Sequence, residues 1–91
     1  MEIHDILKGF DIDFDTFSKQ IMKDGAIESK IKRLIAIACA TAIGCDFCVE
    51  HHTKLAYDEG ITEEEIAEAM LVASLVRFGS GARYLKGLYN D

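Results

Sequence analysis

The chain has 91 residues, room for a single small domain over 1–91, and 49% of them are apolar, more than so small a domain hides efficiently. Its net charge of −6 comes with no basic cluster denser than Lys30-Lys32-Arg33, which argues against nucleic acid as a partner. The longest apolar runs, 34–40 and 69–76, fall far short of a membrane span, and the N-terminus lacks the basic and apolar regions of a secretory leader. The expectation is a cytoplasmic protein with no membrane attachment.

Proline and tryptophan are absent, and Ala, Ile, Leu, Glu and Lys dominate, a composition that favours helices. Residues 1–10 carry little periodic signal. Over 11–23, Ile12, Phe14, Phe17 and Ile21 take the spacing of an amphipathic helix, with Asp13 or Asp15 near its start and Lys23-Asp24-Gly25 as its stop. Ser29 is placed to cap a second helix that is apolar nearly all round from Leu34 on, so it is expected to be buried on more than one side. Cys39 lies on it and reads as inert core packing. Gly44 ends or bends this helix. A third helix then starts at Cys45 and is closed by Gly60. Thr62-Glu63-Glu64-Glu65 is a capping box that opens a fourth helix, with an apolar surface wide enough to be doubly buried. Gly79-Ser80-Gly81 is expected to interrupt it, and a short helix over 82–89 closes the domain. No stretch alternates with period two. The prediction is an all-α domain of about five helices, with surplus apolar surface that predicts an oligomer.

The chemistry concentrates in Gly44-Cys45-Asp46-Phe47-Cys48-Val49-Glu50-His51-His52. With Cys45 at zero on a helical wheel, Cys48 lies at about −60° and His52 at about −20°. The three form one stripe, which Leu55 and Ala56 continue. Residues i and i+3 of a helix are about 5 Å apart at Cα, inside the range a disulfide tolerates, and Cys48 and His52 are i,i+4 neighbours. The cysteines fall in the first turn, where free N–H groups favour a thiolate. Three cysteines in a reducing compartment point to a catalytic or metal-binding pair, not to a disulfide framework.

A dithiol that reduces peroxide needs an ionised thiol, a proton for the departing oxygen, and a second thiol to resolve the sulfenic acid. Here His52 would take the proton of Cys48, Cys45 would close the intramolecular disulfide, and an external reductant would reopen it. The competing reading is a metal-binding or scaffold domain without catalysis, with Cys45, Cys48, His52 and either His51 or His4 as ligands. Structural zinc wants four ligands, usually as two separated pairs, and a second pair is absent, so no metal and no cofactor is expected. A third reading leaves two buried thiols and a satisfied histidine as plain core. His51 points away from the stripe, exposed or as a helper.

Three segments together, Lys30-Ile31-Lys32-Arg33-Leu34-Ile35-Ala36-Ile37-Ala38, Cys45-Asp46-Phe47-Cys48-Val49-Glu50-His51-His52, and the run from Ala56 to Ala69, resemble the alkylhydroperoxidase AhpD-like core domain of the carboxymuconolactone decarboxylase superfamily. The resemblance covers roughly residues 17–80. It implies an all-helical fold, assembly as a homotrimer or homohexamer, and peroxidase or thiol–disulfide exchange activity on a small peroxide or disulfide, with a thioredoxin-like or lipoyl protein, or a small thiol, as reductant. By the same resemblance Cys48 is the peroxide-attacking cysteine, Cys45 its partner and His52 the proton-relay histidine. Two positions depart from the pattern. Arg33 stands where the better-studied peroxidases have a glutamate, and Phe47 where they have a histidine. Glu28 is a candidate replacement for the carboxylate, and Arg33 itself is a candidate to stabilise the Cys48 thiolate or an anionic ligand. The decarboxylase branch generally lacks the CxxC pair, so lactone decarboxylation ranks last.

Overall fold

A computed structural model describes residues 2–11 and 13–89. The protein is all-helical over these residues: α1 (Ile3–Lys8), α2 (Phe14–Met22), α3 (Ser29–Ile43), α4 (Asp46–Asp58), α5 (Glu63–Ala82) and α6 (Leu85–Tyr89). The helices expected from periodicity are all present. α1 joins them in a stretch too short to show a period, with Asp5 in its first turn and Lys8 in its last, both favourable to the helix dipole. Ile12, expected on the apolar stripe of α2, lies outside the described residues.

The caps explain where the helices begin and end. Asp13 caps α2, its carboxylate accepting from the Thr16 backbone N–H and hydroxyl. α3 starts one residue earlier than a Ser29 cap would place it. Glu28 is the N-cap residue but makes no side-chain cap bond, and Asp24 Oδ1 accepts the Ser29 N–H at 2.7 Å instead. Lys32 reaches back to the open end of α2, donating to the carbonyls of Ile21 and Lys23. Thr62 and Glu65 form the capping box of α5 as the sequence predicts.

One expected break is absent. α5 runs through Gly79-Ser80-Gly81 to Ala82, and Ser80 Oγ donates to the Arg77 carbonyl inside it. Glycine lowers helix stability by about 1 kcal/mol relative to Ala but supplies no competing partner for the backbone. The turn comes afterwards, at Arg83 and Tyr84, where the Tyr84 N–H bonds the Gly81 carbonyl.

α3 packs against both α4 and α5 and forms the axis of the molecule. The core is small. Ile37 and Ala40 enter it from α3, Ala56 from α4, Ile61 from the link, and Ile66 and Ala73 from α5, with Leu34 and Met70 packed against it. α3 therefore buries one stripe, Arg33-Ile37-Ala40, and not its whole circumference. Cys39, expected in the core, is exposed, because a residue two positions after Ile37 is rotated about 200° to the far side of the helix. α5 likewise leaves Leu71, Val72, Leu75, Val76 and Phe78 in solvent. Among the described residues no helix is long and apolar enough to cross a membrane.

Candidate functional site

The junction between α3 and α4 is built by Gly44. Its φ of +76° and ψ of +35° put it in the left-handed region, where glycine carries no Cβ penalty. The Gly44 and Cys45 N–H groups both bond the Ala40 carbonyl, at 3.0 Å each, which closes α3. Cys45 is at once the N-cap of α4, and its Sγ accepts the Cys48 N–H at 3.2 Å. The helix ends where the sequence places it, with Gly60 left-handed at φ +81°.

Cys45 and Cys48 are joined as a disulfide, with Cα atoms 5.2 Å apart, and both are half-buried. The first turn of α4 thus holds the pair at the spacing that i,i+3 geometry requires. His52 sits one turn further on the same stripe and is half-buried. His51 is exposed. Its ring stacks on Phe47, with centroids 5.8 Å apart and planes nearly parallel, and meets His52 edge-on at 5.1 Å. Phe47 is 76% exposed beside the disulfide.

The residue that organises this site comes from α3. Arg33 is 8% exposed, the buried charged side chain among the described residues. Its Nε and Nη2 donate to the two carboxylate oxygens of Glu59, at 3.0 and 2.9 Å. Its Nη1 lies 2.7 Å from His52 Nδ1. Two parallel N–H···O bonds of this kind are the strong, orientation-fixing form of the Arg–carboxylate pair. His52 is held below the ordinary histidine pKa, first by burial, then by the charge of Arg33 and by His51, with Glu59 pulling the other way.

Glu59 was not singled out from the sequence, yet a signal for it was present. It falls fourteen residues after Cys45 and seven after His52, which puts it at about −40° on the wheel, on the Cys45–Cys48–His52 stripe. Glu28, the candidate replacement carboxylate, is exposed at the start of α3, and the carboxylate that reaches Arg33 belongs to Glu59. Among the described residues no group of three or more His, Cys, Asp or Glu is arranged to hold a metal ion. The side chain of His4, one of the alternative ligands, lies outside the described residues.

Comparison with known proteins places these features in context. The model of a family described as the carboxymuconolactone decarboxylase family matches residues 10–90. A relative from Paracoccus denitrificans, named "Uncharacterized protein 4 in cox locus", is 43% identical over 67 residues, 74% of this chain and 60% of its own length. An "Alkyl hydroperoxide reductase AhpD" from Corynebacterium kroppenstedtii is 32% identical over 57 residues, 63% of this chain and 33% of that protein. The chain thus matches 60% or less of the length of these two curated relatives. A crystal structure of a protein from Methanobacterium thermoautotrophicum superposes with a TM-score of 0.73 at 36% identity, covering 85% of this chain and 86% of that one.

Proposed function

This chain belongs to the carboxymuconolactone decarboxylase family, and on that premise we propose that it is a dithiol–disulfide oxidoreductase of the peroxide-reducing kind, working through Cys48, Cys45 and His52. The observation that carries the reading is the Cys45–Cys48 disulfide in the first turn of α4, with His52 one turn beyond it. The name borne by the AhpD relatives points to the same chemistry.

In the oxidative half-reaction the Cys48 thiolate attacks one peroxide oxygen. An S–O bond forms, the O–O bond breaks, and the departing oxygen takes up a proton. Cys48 is then a sulfenic acid, which the Cys45 thiolate attacks. The S–S bond forms, water leaves, and two electrons have passed from the dithiol to the peroxide. In the reductive half-reaction one thiolate of an external dithiol, thioredoxin-like or lipoyl, attacks Cys48 Sγ and expels Cys45 as a thiolate. Its second thiolate then attacks the mixed disulfide, releasing Cys48 and leaving the reductant as its own disulfide; two molecules of a small thiol do the same in turn. The Cys48 N–H that bonds Cys45 Sγ is placed to receive that charge at the helix N-terminus, where an anion is favoured. The peroxide-attacking and resolving roles follow the family resemblance.

The working form is a homo-oligomer, a trimer or hexamer by the same resemblance, and the exposed apolar face of α5 supports it. The test of function is peroxide consumption with a dithiol reductant. Cys48→Ser is expected to abolish turnover, at least a hundred-fold on the usual weight of a nucleophile (about 10² or more). Cys39→Ser should leave it unchanged. Full activity in Cys48→Ser overturns the reading. So does purified protein that carries about one zinc per chain with unreactive CxxC thiols, which is what a metal-binding scaffold would show.

A further inference from the structure

We propose that Arg33, anchored by Glu59, holds His52 as the neutral imidazole with its proton on Nε2, so that His52 serves the dithiol as a hydrogen-bond donor and not as the base that removes the thiol proton. The inference rests on the dithiol reading above and deepens it. It makes Arg33 a positioning residue, acting on the sulfur through His52.

The argument is one of donors and acceptors. A guanidinium has five N–H donors and no acceptor. The 2.7 Å contact between Arg33 Nη1 and His52 Nδ1 is a hydrogen bond only if Nδ1 offers its lone pair. A neutral histidine that accepts at Nδ1 carries its single proton on Nε2. A second proton on Nδ1 would have to face the guanidinium in place of that bond. Arg33 cannot easily turn away, because it is buried and two of its other nitrogens are fixed on the Glu59 carboxylate. The groups acting on the ring are Arg33 from α3 and His51 and Glu59 from α4. Glu59, the one anion among them, has both oxygens engaged by Arg33. Burial first, then the charge of Arg33, lower the proton affinity of the ring, in the same direction as the geometry.

The consequence for the chemistry is specific. A cysteine–histidine pair in which imidazole takes the thiol proton ends as thiolate and imidazolium. Here the basic nitrogen is occupied. The Cys48 proton is lost to water, and the edge of His52 left for the site is Nε2–H, which donates to a thiolate and stabilises the anion without transferring a proton. A neutral imidazole used as a donor is a known catalytic device where a histidine's proton affinity is kept low.

Nitrogen-15 NMR of the histidine side chains in the full chain, oxidised and reduced, reads the tautomer directly, with His52 assigned through His52→Gln. The wild type is expected to show the Nε2–H form, with a titration midpoint below the ordinary histidine value of about 6.5. An Nδ1–H form, or a midpoint at or above that value, overturns the proposal. In Arg33→Met the single-tautomer pattern should be lost and the titration midpoint should rise. Arg33→Lys, which keeps a donor, should restore both in part, an effect that mere packing would not produce. An unchanged tautomer and midpoint in folded Arg33→Met overturns the role of Arg33. If that variant does not fold, Glu59→Gln, which frees the guanidinium from its anchor, should weaken the single-tautomer pattern, and an unchanged pattern counts against the proposal. The midpoint is not the readout there, because loss of the Glu59 anion itself lowers the proton affinity of His52. The peroxide assay reads the underlying site separately. A locked tautomer beside thiols that never turn over overturns the donor role by removing the reaction it serves, while leaving the clamp itself standing.

Discussion

His52 carries its charge balance into the stability of the protein. Its pKa is lowered in the folded state, so in the window just below the ordinary value of about 6.5 the unfolded chain binds the proton and the folded chain does not. Stability therefore falls as pH drops through that window, and above it this histidine contributes no pH dependence. Urea midpoints measured at about pH 7.5 and about pH 5.5 should differ in that sense, and His52→Gln should remove the difference. A wild-type midpoint that rises on acidification would contradict the depressed pKa. The same residue shows why the departures at positions 33 and 47 do not empty the site. At position 33, where the family resemblance leads to the expectation of a carboxylate, stands a guanidinium, and Glu59 at the other end of α4 pairs with it. Phe47 leaves its position without a proton carrier but keeps an aromatic face against His51.

The helices are specified at their ends. Gly44→Ala puts a Cβ on a left-handed residue, where an L side chain costs about 1–2 kcal/mol. Nothing lies within 4 Å of that Cβ, so the cost is conformational and not steric. The variant should lose about that much in urea unfolding and should also disturb the disulfide, because Gly44 aims Cys45 into its cap. Retention of full stability would mean the junction can be rebuilt without the left-handed turn. At the start of α5, Thr62→Ala removes one half of the capping box and should cost about 1 kcal/mol. The other half, Glu65, also pairs with Lys30 at 2.6 Å. Its carboxyl is pushed down to about 2, first by Lys30 and then by the Thr62 cap. A depressed carboxyl contributes stability above its unfolded value, lost as pH falls toward the folded one. That window lies below the histidine window, so acid titration of Glu65→Gln against wild type separates the two. The pair is exposed and solvent screens it, so its effect is small.

For 91 residues a compact domain has a radius of gyration of about 12 Å, whereas this chain has 16.8 Å and extends 52 × 34 × 25 Å. The extended shape goes with exposed apolar surface in the single chain: Leu71, Val72, Leu75, Val76 and Phe78 on α5, and Phe10 and Phe17 nearer the N-terminus. Each such side chain is worth about 1.5–3 kcal/mol when fully buried, so the face of α5 supplies a strong drive to associate. Sedimentation should show a species several times the 10.1 kDa chain mass. The double substitution Leu71→Lys, Leu75→Lys should dissociate it and lower the melting temperature. A wild-type chain that sediments as a monomer at micromolar concentration would sink the oligomer.

The sequence alone determined what local geometry governs. The all-α class, the capping box at Thr62, the stop at Gly60 and the single stripe of Cys45, Cys48 and His52 follow from i,i+3 and i,i+4 spacing on a helix whose start is marked by Gly44. Glu59 was readable on that stripe in the same way. Three things needed the tertiary structure. The side of α3 that faces inward left Cys39 outside, because an all-apolar helix does not announce which stripe its neighbours will cover. The continuity of α5 through Gly79 and Gly81 was settled by the absence of a competing turn. Above all, the crossing of α3 over α4 set Arg33 against His52 and Glu59, residues 19 and 26 positions away in the chain. A charged side chain reads as solvent-facing by type, and only the partners brought to it by packing let it be buried.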